Sequence, residues 1–73
     1  MREEMIVRDP KIMLGKPVIK GTRITVELIV RKIADGFTID DIVAGYPHLT
    51  AAQVQAALEF AARMIADEII LEA

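Results

Sequence analysis

Cysteine is absent from this chain of 73 residues, which excludes a disulfide scaffold, a thiolate zinc site and a cysteine nucleophile together. Histidine occurs once, as His48 beside Pro47. No Cys or clustered carboxylate accompanies it, so it reads as a surface or helix-capping residue, and no acid–base pair is in view. Asp40-Asp41 stand where a helix begins, and the positive dipole end accounts for two carboxylates there. Gly15 to Thr22 has the content of a phosphate-holding loop, but its glycines are one residue too far apart and no Lys precedes Thr22. Pro17 also removes an amide that such a loop needs. No run approaches the ~18 apolar residues of a membrane span. Met1-Arg2-Glu3-Glu4 has neither the cationic start nor the apolar stretch of a secretory leader. These absences predict a cytoplasmic protein that enters no membrane, holds no cofactor or metal and is not an enzyme.

What is present is apolar. Hydrophobic residues make up 53% of the chain before its four glycines are added, against roughly 45–50% with glycine included in an ordinary soluble domain. At 8.1 kDa the chain is one small domain, residues 1–73, burying about three fifths of the surface its unfolded state exposes. More apolar surface than such a monomer hides predicts a homodimer or an obligate partner. The net charge of −2 is unevenly spread. Residues 1–36 carry eight Lys/Arg against five Asp/Glu, while residues 37–73 carry one against six. Such asymmetry points to an anionic partner at one end and a different partner at the other.

Residues 1–24 read as a β-ribbon. Met5-Ile6-Val7, Ile12-Met13-Leu14 and Val18-Ile19 are short extended pieces, separated by Asp9-Pro10, by Gly15 and by Pro17 and Gly21. Gly15 and Gly21 are expected to hold positive φ in the turns. From Thr25 the period changes, and residues 25–73 read as three helices. Val26, Ile29, Val30 and Ile33 fall at i, i+3, i+4, i+7, with Thr25 as cap and Gly36 as terminator. The second helix has Thr38 and Asp41 as a capping box, Ile39, Ile42 and Val43 as its stripe, and Gly45 at its end; Pro47 then makes a turn. The third has Thr50 and Gln53 as a capping box and runs to about Ile70. Val54, Leu58, Ala61, Ile65 and Ile69 form one stripe and Ala56, Phe60 and Met64 a second, so this helix needs neighbours on two sides.

The fold class is therefore α+β, mostly α: a short N-terminal ribbon followed by three helices in helix-turn-helix order. In such a module the third helix enters the DNA major groove. Phosphate contacts would come from Lys16, Lys20, Arg23, Arg31 and Lys32, with Gln53 and Gln55 left to read base edges. The apolar segment Phe60, Met64, Ile69, Ile70 and Leu71 is the candidate surface for docking another protein.

Asp9-Pro10, the stretch Gly15-Lys16-Pro17-Val18-Ile19-Lys20-Gly21-Thr22-Arg23-Ile24, Gly36, Tyr46-Pro47-His48-Leu49-Thr50 and Ala56 to Ala61 together resemble a bacterial and archaeal family catalogued as domain of unknown function 433. The likeness runs from about Ile6 to Arg63. It implies a β-ribbon before a homeodomain-like trihelical helix-turn-helix bundle and a VapB-type antitoxin role, often encoded beside a PIN-like ribonuclease toxin. It carries over no catalytic residue. The expected function is antitoxin-like: neutralising a partner ribonuclease and binding double-stranded operator DNA. The alternative is a protein-interaction module without nucleic-acid binding.

Overall fold

A computed structural model describes residues 5–68. Strands β1 (Ile6–Val7) and β2 (Val18–Ile19) pair antiparallel, Ile6 opposite Ile19 and Val7 opposite Val18. Helices α1 (Val26–Ala34), α2 (Ile39–Gly45) and α3 (Ala51–Glu68) follow, giving the expected ribbon and three helices.

The middle piece of the ribbon differs from expectation. Ile12-Met13-Leu14 is not extended; Met13–Gly15 form a tight 3-10 turn in which Met13, Leu14 and Gly15 all have positive φ, 50°, 60° and 82°. The reason is local hydrogen bonding. The Asp9 carboxylate accepts from the Lys11 N–H at 2.9 Å, and the Asp9 carbonyl accepts from Ile12 at 2.8 Å. Gly15 and Lys16 then donate to the carbonyls of Ile12 and Met13. A third strand here would have had no such partners, and the turn leaves Leu14 93% exposed.

The stretch from Pro17 to Thr25 clasps the ribbon to α1. Gly21, at φ +83°, turns the chain. The Thr22 hydroxyl donates to the Ile19 carbonyl at 2.8 Å and accepts from the Ile24 N–H at 2.9 Å. Val18 bridges to Thr25, and the Val26 N–H reaches the Pro17 carbonyl at 2.9 Å. Thr25 then caps α1, its hydroxyl accepting from Leu28 at 3.0 Å. Gly36, at φ +99°, ends the helix in a Schellman arrangement: Gly36 donates to Ile33 and Phe37 to Lys32.

Both expected capping boxes form. Thr38 and Asp41 exchange bonds of 2.9 and 3.0 Å at the start of α2, and Thr50 and Gln53 exchange bonds of 2.8 and 3.1 Å at the start of α3. The core lies where the first half of α3 meets α1, α2 and the ribbon. Ile19, Ile29, Ile42, Val54 and Ala57 are its buried centre, with Leu49 beneath the Pro47 turn. Burial stops along α3: Val54, Ala56 and Ala57 are enclosed, whereas Ile65, expected on the same stripe as Val54, is 53% exposed. The end expected near Ile70 lies outside the described residues.

Candidate functional site

The amphipathic period of α1 places Val26 and Ile29 inward, and Val26 and Val30 also face the outer half of α3. Phe60, Ala61, Met64 and Ile65 form the opposite wall. Between the helices lies an open groove of about 800 Å³, within the size range of binding clefts. Its floor is apolar, and its polar groups lie on the α1 side.

There, Lys16 donates to Glu27 at 2.9 Å and Arg31 approaches the same carboxylate at 3.4 Å. Lys16, by its hydrogen bond and then its charge, holds the Glu27 carboxyl below its ordinary value, and Arg31 adds to this. At neutral pH this rim therefore carries one net positive charge instead of two. At the other wall the Arg8 guanidinium lies 5.8 Å from the Phe60 ring centroid, with a nitrogen 3.3 Å from the Met64 sulfur. This contact combines a cation–π attraction with packing of the Arg stem.

The structure thus brings Lys16, Arg31, Phe60 and Met64 to one groove. It does not bring the remaining expected residues there. Lys20 and Arg23 are exposed on either side of the Gly21 turn. Lys32 lies 4.7 Å over the Phe37 ring. The Gln53 side-chain oxygen is occupied by the Thr50 N–H, and Gln55 is half-buried. Ile69, Ile70 and Leu71 lie outside the described residues. Glu27 and Val30 line the groove and Arg8 sits on its wall at Phe60 and Met64, and sequence reasoning gave none of the three a binding role. The α1 stripe contained Val30, but nothing local to Arg8 announces a contact with a residue 56 positions away. Among the described residues, no group of three or more His, Asp or Glu is arranged for a metal. No helix among them is long and apolar enough to cross a membrane.

A two-strand clasp in front of three helices, with a groove between the first and the third, defines a small ribbon-and-trihelix module. The chain belongs to the family described as protein of unknown function (DUF433), whose model matches residues 6–61. The crystal structure of a family member from Anabaena variabilis superposes with a TM-score of 0.80 at 28% identity, over 86% of this chain and 62% of that one. The uncharacterized protein y4eO of Sinorhizobium fredii is 29% identical over 80% of this chain, which spans only 26% of that protein's length. An uncharacterized protein of Archaeoglobus fulgidus is 64% identical over 38% of this chain and 78% of its own length.

Proposed function

We propose that this protein is an antitoxin-like binding module of the cytoplasm that holds a PIN-like ribonuclease by an apolar helix laid into the groove between α1 and α3. The open apolar groove, with Ile65 half exposed at its edge, supports this reading. Helix-in-groove docking needs an apolar trough with polar groups at its rim, and no catalytic group. Titrating the chain with a PIN-like ribonuclease from the same genome tests it. Saturable binding with loss of nuclease activity is expected, weakened by Val30→Asp on the groove floor. Absence of binding rejects the reading.

One observation favours a second role in operator binding: Lys20 and Arg23 are exposed and make no ion pair among the described residues. Lys16 and Arg31 share the Glu27 carboxylate, which neutralises one of the two charges, so Lys20 and Arg23 give a dimer about four phosphate contacts free of any ion pair among the described residues. Binding would then weaken about 10²-fold between 50 and 200 mM salt. A mobility-shift assay on the DNA upstream of the gene, with Lys20→Ala and Arg23→Ala combined as the comparison, decides it. No retardation at low salt leaves the interaction module alone.

A further inference from the structure

The groove between α1 and α3 is open, and the outer half of α3 presents an apolar stripe along it: Ile65 is 53% exposed, beside the half-buried Phe60 and Met64.

The charge beside this stripe is complementary to itself. Phe60, Met64 and Asp67 are spaced i, i+4, i+7 and follow one edge of α3. Arg8 stands at the Phe60 end of that edge, on the ring and the Met64 sulfur. Asp67 is exposed at the other end. When two such helices face each other antiparallel about a two-fold axis, the same edges meet with their directions reversed. The cation of each copy then falls opposite the carboxylate of the other. Ala61, on the opposite edge of the stripe, is small enough to let the helices approach closely.

We propose that in the free protein the groove is covered by α3 of a second copy, in an antiparallel two-fold dimer centred on Met64, with Arg8–Asp67 pairs at its two ends. Such an interface is isologous and closes on itself. The family model stops at residue 61, so Met64, Ile65 and Asp67 are features of this chain beyond the matched span. The dimer rests, like the proposed function, on the groove docking a helix, but not on the ribonuclease. A ribonuclease that takes the groove must displace the second copy and leave a one-to-one complex.

Analytical ultracentrifugation of the full chain at high micromolar concentration gives the test. Twice the 8.1 kDa monomer mass is expected. Ile65→Asp should yield monomers with an unchanged helical circular-dichroism spectrum, since the exposed Ile65 holds no core together. Arg8→Asp alone and Asp67→Arg alone should each weaken the dimer about tenfold or more, as two attractions become two like-charge repulsions. The two combined should restore it. A wild-type monomer, a dimer indifferent to Ile65→Asp, or a charge swap without rescue overturns the proposal. A monomer that binds the ribonuclease overturns the dimer alone; a dimer that ignores the ribonuclease overturns the proposed function alone.

Discussion

The Thr22 hydroxyl both donates and accepts within the turn from Ile19 to Ile24, and Gly21 supplies the left-handed residue beside it. Nothing lies within 4 Å of a Cβ added at Gly21, so a substitution there meets no clash and its cost is purely conformational. Gly21→Val should therefore lower stability by roughly 1–2 kcal/mol, read as a lower denaturant midpoint with unchanged slope. This position was legible from sequence because glycine between Lys20 and Thr22 announces a turn. Met13 and Leu14 were not legible, because neither residue type favours positive φ and only the hydrogen bonds of Asp9 and its neighbours put them there. Asp41 belongs to the same scale. The Thr38 N–H and hydroxyl hold its carboxyl below the ordinary value of 3.8. A folded-state value below the unfolded one means that the contribution is complete above the unfolded value and is lost as pH falls through the folded one. Asp41→Asn should flatten that acid limb of the stability profile, measured by urea titration at stepped pH, and leave the rest of the profile unchanged in shape.

α3 shows what periodicity yields and where it stops. Its start was legible in Thr50 and Gln53, because a capping box is made within four residues and needs no tertiary partner. Thr50→Ala should cost about 1 kcal/mol through loss of that cap, and the denaturant midpoint measures it. The same box occupies the Gln53 side-chain oxygen, which accepts from the Thr50 N–H. The stripe of Val54, Leu58, Ala61 and Ile65 was visible too, but a repeat does not say how far its neighbours reach. At ~1.5 Å per residue, the nine residues of α1 span about half the length of the eighteen of α3. Along the open groove, Ile65 has the spacing of a core residue and the exposure of a surface one.

Across the whole molecule, the excess of cations in the first half of the chain was plain from composition, but their availability was not. Lys16 meets Glu27 from eleven residues away, and Arg8 meets Met64 from the opposite end of the chain. Both contacts depend on the clasp and on the packing of α1 against α3, which no local pattern reports. The ribbon and three helices were thus legible from turns, caps and stripes. The groove came from the way the outer half of α3 packs beside α1, and the exposed charge left without an ion pair was decided by pairings across the fold.

The fading of burial along α3 also sets how its backbone amides exchange with solvent deuterium. Amides of the turns around Val54 to Leu58 are locked by the core and should exchange only when the whole domain opens. Those from Met64 to Asp67 belong to the outer part of α3, whose side chains are half-buried or exposed, and should exchange through local fraying, orders of magnitude faster at low protein concentration. Raising the concentration should slow the second group towards the first while leaving the first unchanged. In the proposed dimer, the isotope then reads out the point along a single helix where one molecule stops protecting itself and a second molecule takes over.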